Sequence, residues 1–234
     1  MRMPMPVSLY EPEVPKGLVV ISHGSGGRPG THQHLAEVLV GCGYVVAVPE
    51  HPGNHRGDNS QAQSLENFER RPRQLSEVID VCQAEFGLLE TVVVGHSLGG
   101  YTALMLAGAV ADVMGQRVAG YRDERVKGLV LMAPSASWFG GAGALDGVRL
   151  PVLVFSGGRD TIAPAWHAEI VERGVAGARH ERIAMATHYS FLSPSPVEDG
   201  LDRSGMFAMI REFVDLVVEG GAAGLDGVED GADG

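Results

Sequence analysis

Residues 95–100 read Gly-His-Ser-Leu-Gly-Gly, a G-x-S-x-G pattern between the apolar run TVVV (91–94) and the helical run YTALMLAGAV (101–110). A serine on a sharp strand-to-helix turn stands with its Oγ exposed above the sheet, where it can attack an acyl carbon. Gly95 and Gly99 flank it because side chains there would collide across the bend. Ser97 is therefore the candidate nucleophile. A small-residue junction without chemistry is the plainer alternative, and the strand-turn-helix context argues against it.

A serine hydroxyl needs a base to take its proton, and the base needs a third group to orient it. His188, in ATHYSFL, follows the strand candidate 179–184 and precedes the last helical run, so it fits the base. Asp160, in SGGRDTIAP, lies just beyond the strand candidate PVLVF and fits the orienting acid. Asp146 is the alternative acid, but it lies before that strand. Among other histidines, His180 lies within a strand and His167 within a helix, while His51 and His55 precede the serine. No cysteine or carboxylate cluster completes a metal set around His32 and His34 or around His51 and His55, so no metal is expected.

The negative charge that develops on a substrate carbonyl needs two backbone N–H donors. One is expected from Leu98, the residue after the nucleophile. The other is expected from the glycine-rich loop Ser22-His23-Gly24-Ser25-Gly26-Gly27, with Ser25 as the donor. A phosphate cradle is the competing reading of this loop. It lacks both the lysine of a nucleotide-binding loop and a clean G-x-G-x-x-G.

These groups need a frame. LVVIS (18–22), YVVAV (44–48), TVVVG (91–95), VKGLVLMA (126–133) and PVLVFSG (151–157) are continuous valine-rich runs, as expected of parallel strands covered on both faces. Helices are expected near 31–40, 70–86, 97–110, 163–173 and 204–218. The alternation predicts an α/β architecture, a doubly wound, mostly parallel sheet with helices on both faces. Two long loops, 49–69 and 134–149, leave the carboxyl ends of strands, where ligands bind in such sheets.

The chain has 234 residues and a net charge of −11. Residues 1–218 are expected to form one domain, and the acidic, glycine-rich stretch 219–234 a disordered tail. The tail holds five acids and no base, which leaves −6 for the remainder. That sign disfavours nucleic acid as a partner. Cys42 and Cys82, both in apolar helical patterns, are expected as buried thiols rather than a disulfide framework. With no long apolar run near the N-terminus and none of transmembrane length, the expectation is a cytoplasmic protein without a membrane partner. Oligomeric state has no readable signature.

VVISHGSGG (19–27), GYVVAVPEHPGNHRGDN (43–59), VVVGHSLGGYTAL (92–104), DERVKGLVLMAPS (123–135), LVFSGGRDTIAP (153–164) and ATHYSFL (186–192) resemble the α/β-hydrolase superfamily. Its dienelactone-hydrolase-like branch, which includes relatives of platelet-activating-factor acetylhydrolase, is the most similar part. The resemblance implies a Ser-Asp-His hydrolase of esters, lactones or related acyl bonds, acting on a small-molecule acyl substrate without a cofactor. True dienelactone hydrolases carry a cysteine nucleophile where this chain has Ser97, so dienelactone is not the expected substrate. The short segment between the strands at 126–133 and 151–157 implies little or no cap and an open site. Candidate lining residues are His23, Trp138, Phe139 and Tyr189; the aromatics fit a core equally well. Amide cleavage and acyl transfer use the same triad and tetrahedral intermediate, and a silent hydrolase fold serving as a binding module is the third reading.

Overall fold

Valine-rich runs form strands here because β-branched side chains pack well on a pleated surface, and burial on both faces needs no polar alternation. The computed structural model describes residues 5–87, 89–195 and 199–222. The strands β1 (Val7–Tyr10), β2 (Gly17–Ser22), β3 (Tyr44–Pro49), β4 (Thr91–His96), β7 (Val126–Met132), β8 (Val152–Gly157) and β9 (Arg179–Ile183) build one sheet in the order β1-β3-β2-β4-β7-β8-β9. β1 runs antiparallel to β3, and every other pairing is parallel. β2, β3, β4 and β8 are buried along their whole length.

Among the described residues, five helices cover the two faces: α1 (Gln33–Gly41), α2 (Leu65–Phe86), α3 (Leu98–Leu106), α4 (Trp166–Gly174) and α5 (Ser204–Ala222). Leu75, Val78 and Ile79 of α2 and Leu104 of α3 pack one core against the sheet. Leu35 and Leu39 of α1 and Ile210 and Val214 of α5 pack the other. From β2 the chain moves to one side of the sheet, through β3, and then crosses to β4 on the other. The loop after β2 and the turn after β4 therefore part side by side, with Ser22 level with Gly95. That switch point is where an open α/β sheet forms its crevice.

Several local expectations are corrected. α2 begins at Leu65, not at 70, so the loop after β3 is shorter than expected. Ser64 Oγ caps it by accepting from Asn67 N at 3.1 Å. Pro72, which usually marks a first turn, lies inside the helix. α3 stops at Leu106, before Gly108 at φ 94°. Residues expected to extend it form a hairpin, β5 (Val110–Val113) with β6 (Gln116–Ala119), turning on Met114 and Gly115, both at positive φ. Residues 219–222 belong to α5 rather than to a tail, and residues 223–234 lie outside the described residues. Cys42 caps α1 and is half-buried, whereas Cys82 is buried in α2; both are free thiols. Between β7 and β8 the only regular element is a short 3-10 turn, Ser137–Phe139, so no cap covers the sheet there. Among the described residues, no helix is long and apolar enough to cross a membrane.

Candidate active site

Ser97 sits between β4 and α3 at φ 53° and ψ −117°, a conformation that costs a non-glycine residue energy. Close packing holds it there. A Cβ on Gly95 would fall 2.3 Å from the Gly99 carbonyl oxygen, and one on Gly99 would fall 1.9 Å from that of Ser22. Ser97 N donates to Met132 O at 3.0 Å, and Ser97 O accepts from Ser135 N at 2.9 Å. The Ser97 Oγ lies 3.4 Å from the Ser135 Oγ. Ser135, on the loop after β7, carries no motif that would have marked it in the sequence.

His188 opens the 3-10 turn His188–Phe191, whose start is fixed by reciprocal capping between Thr187 and Ser190. Its ring Nδ1 is 2.8 Å from Asp160 Oδ2, and both residues are buried. The other carboxylate oxygen of Asp160 accepts from Ile162 N and Ala163 N, each at 2.8 Å. Burial pushes the Asp160 carboxyl up, but the hydrogen bonds from His188, Ala163 and Ile162 outweigh it and hold the group below its ordinary range. An ionised Asp160 facing Nδ1 leaves Nε2 of His188 as the free ring nitrogen. Ser97 and His188 line one cavity of about 390 Å³.

The other candidates lie elsewhere. Asp146 lines a separate depression, with Gly140 and Arg173. His180, on β9, bonds Ser156 Oγ and Glu172 of α4. His167 Nδ1 accepts from Ala136 N. Among the described residues, no group of three His, Cys, Asp or Glu side chains could hold a metal ion.

The loop after β2 closes over Ser97, with Gly24 so near that a Cβ there would lie 3.0 Å from the Ser97 Cβ. The Gly24 carbonyl accepts from His23 Nδ1 at 2.7 Å and from Gly27 N at 3.0 Å. Because a trans peptide opposes its C=O and N–H, this turns the Ser25 N–H the other way. Below the loop lies a fully buried arginine, Arg71 of α2. Its guanidinium donates to His23 O, Ser22 Oγ, Asn54 Oδ1 and Thr102 Oγ1. Asn54 in turn donates to Ser25 Oγ at 3.0 Å. Burial pulls Arg71 down to about 9.

The expected lining is partly corrected. His23 does not face the cavity; its ring turns inward, and burial together with Arg71 lowers it to about 3. Trp138 and Phe139 pack against Tyr101, with Phe68 also against Trp138, so they belong to the core. Tyr189 does line the cavity, and so do Arg28, Arg56, His96 and Ile162, which no local pattern had marked. His96 Nε2 donates to His188 O at 3.1 Å, and its ring lies 4.8 Å from that of His188.

A mostly parallel sheet with a strained serine at the β4–α3 turn is the architecture of an α/β-hydrolase. The chain belongs to the Hydrolase_4 family, described as serine aminopeptidase, S33, whose model matches residues 13–139. It is 30% identical to human monoglyceride lipase over 40% of this chain and 30% of that protein. To the monoacylglycerol lipase of Mycolicibacterium smegmatis it is 26% identical, over 48% of this chain and 49% of that one. The matches thus span about a third to a half of the length of these relatives. In structure it is similar to the esterase domain of a Rhodothermus marinus protein, with a TM-score of 0.63 and 17% identity over 90% of this chain and 92% of that chain.

Proposed function

We propose that this protein is a serine hydrolase of carboxylic esters or lactones, acting through an acyl-enzyme on Ser97. His188 Nε2 takes the Ser97 proton as Oγ attacks the carbonyl carbon, and Asp160 holds the resulting imidazolium. The Ser25 and Leu98 N–H groups receive the charge on the carbonyl oxygen. His188 returns the proton to the leaving oxygen. Water, deprotonated by His188, then attacks the acyl carbon, releasing the acid and restoring Ser97. The observation that carries this reading is the positive-φ serine sharing one cavity with a histidine held by a buried carboxylate.

The family's description as serine aminopeptidase points to a second substrate class, peptides with a free amino terminus. Recognition of an ammonium group calls for carboxylates, yet no Asp or Glu among the described residues lines the cavity, while Arg28 and Arg56 do. Ester or lactone cleavage is therefore the better fit. The finer likeness to the dienelactone-hydrolase-like branch, resting on HPGN (51–54) and DERVKGLVLMAP (123–134), supports the same chemistry.

The test is covalent labelling by a fluorophosphonate, together with turnover of p-nitrophenyl esters, lactones and short peptides. Labelling at Ser97 is expected, with a loss on the order of 10⁶ in kcat for Ser97→Ala. Labelling at another serine, or turnover of peptides alone, would reject the proposal.

A further inference from the structure

The cavity at Ser97 has two unlike walls. Ile162, Tyr189 and Leu192 make one apolar. Arg28 and Arg56 stand on the other, from the loops after β2 and β3, which are tied together where Arg56 N donates to Gly27 O at 2.9 Å. Among the described residues, neither guanidinium has a hydrogen bond or an ion pair to a carboxylate. Glu50 shares a neighbouring depression with Arg28, but its carboxylate lies 3.4 Å from His55 Nδ1. The Asp58 carboxylate is taken up by Ser60. Two cations without a carboxylate partner thus line the cavity that holds the nucleophile.

Resting on the ester-hydrolase reading, we propose that Arg28 and Arg56 form an anion subsite, and that the substrate is an ester or lactone bearing a carboxylate or phosphate group. The planar guanidinium fork matches either anion in two-point contact. The apolar wall then receives the uncharged end of the molecule. Because both arginines are exposed, their attraction is screened by salt.

The test compares kcat/KM for matched esters. On the acyl side, mono-p-nitrophenyl glutarate and p-nitrophenyl 4-phosphonobutanoate are set against p-nitrophenyl methyl glutarate. On the alcohol side, 4-acetoxybenzoate is set against its methyl ester. At low salt an anionic member is expected to be preferred about tenfold or more in at least one series. The carboxylate and phosphonate arms show which anion is favoured. The preference should fall several-fold in 0.5 M NaCl, and to about one in Arg28→Gln/Arg56→Gln. Fluorophosphonate labelling verifies that this variant keeps an assembled site. Ratios at or below one in both series, or a preference that survives the double substitution, would overturn the subsite. If neutral esters are then still turned over and Ser97 still labels, the hydrolase reading stands alone. If no ester is cleaved and Ser97 does not label, that reading fails and the subsite fails with it.

Discussion

Acidification should unfold this protein well before its carboxylates protonate. His23, His32, His51 and His96 are all buried, and burial is the first cause that lowers each of them. His23 and His32 fall to about 3, and His51 and His96 lie well below the ordinary value. In the unfolded chain the same rings titrate at about 6.5. The unfolded state therefore binds protons that the folded state refuses. The stability gained from neutral burial is complete above pH 6.5 and drains away as the pH falls towards 3. Each ring costs about 1.4 kcal/mol between pH 7.5 and 5.5, so the four together cost roughly 5 kcal/mol. Against a total of about 5–15 kcal/mol that is a large share, and at about 2–4 °C per kcal/mol Tm drops by roughly 10–20 °C. Asp160, Asp123, Asp199 and Asp215, held below their ordinary range, act in the same direction but only below about pH 4. His32 gives a clean control, since its Nε2 is buried without a hydrogen-bond partner. His32→Leu should remove about a quarter of the pH slope, raising Tm at pH 5.5 by roughly 3–6 °C more than at pH 7.5. Thermal denaturation across this range is the assay. A Tm that moves by less than about 3 °C, or an unchanged slope in His32→Leu, would refute the reasoning.

Three further outcomes follow from the site. Asp160→Asn should keep the packing but favour the wrong imidazole tautomer, lowering kcat by about 10⁴; a loss below tenfold would give the orienting role to another group. Ser25→Pro, which deletes the N–H, should cost at least about 10²–10³ in kcat, whereas Ser25→Ala should cost much less; equal small losses in two variants shown folded by circular dichroism would place the donor elsewhere. Arg71→Met should orphan the buried His23 carbonyl at a cost of about 1–3 kcal/mol, while Ser22, Asn54 and Thr102 keep other partners. Its kcat should fall along with Tm, and an unchanged kcat would separate Arg71 from the loop it supports.

The elbow was legible because local sterics write it. A side chain at either glycine would meet a carbonyl oxygen at 2.3 Å or less, so Gly95 and Gly99 show in the sequence where the backbone crowds. Asp160 and His188 stood out by their places after strands, and the structure puts their side chains in contact. The valine runs marked the parallel strands for the same local reason. What escaped depends on long-range meeting. Ser135 reaches Ser97 only because β7 lies beside β4. Arg28 and Arg56 share a cavity only because the loops after β2 and β3 touch. β5 and β6 were hidden because VADV continues the apolar run of α3, and Gly108 ends that helix without breaking the hydropathy pattern. His23 is expected in the pocket, but although its neighbours Gly24 and Ser25 line the cavity, the ring itself turns into the core.

That inward turn ties the chemistry of the loop to its protonation. His23 Nδ1 faces a carbonyl, which can only accept, so Nδ1 carries the proton. His23 Nε2 receives the backbone N–H of His51 at 3.2 Å, so it must be bare. The ring is thus fixed as one neutral tautomer. A second proton would set Nε2–H against the His51 N–H, two donors face to face, beneath a carbonyl whose direction sets where the Ser25 N–H points. His51 is held likewise, with Nδ1 against Gln74 Oε1 at 2.7 Å and Nε2 against Ser22 Oγ at 3.0 Å. The charge of Arg71 opposes protonation of both rings. A buried cation without a carboxylate is a poor stabilising element by itself. Here it adds to burial in keeping two histidines neutral and pins the His23 carbonyl, so one unpaired charge orients the loop and adds to the fold's sensitivity to acid.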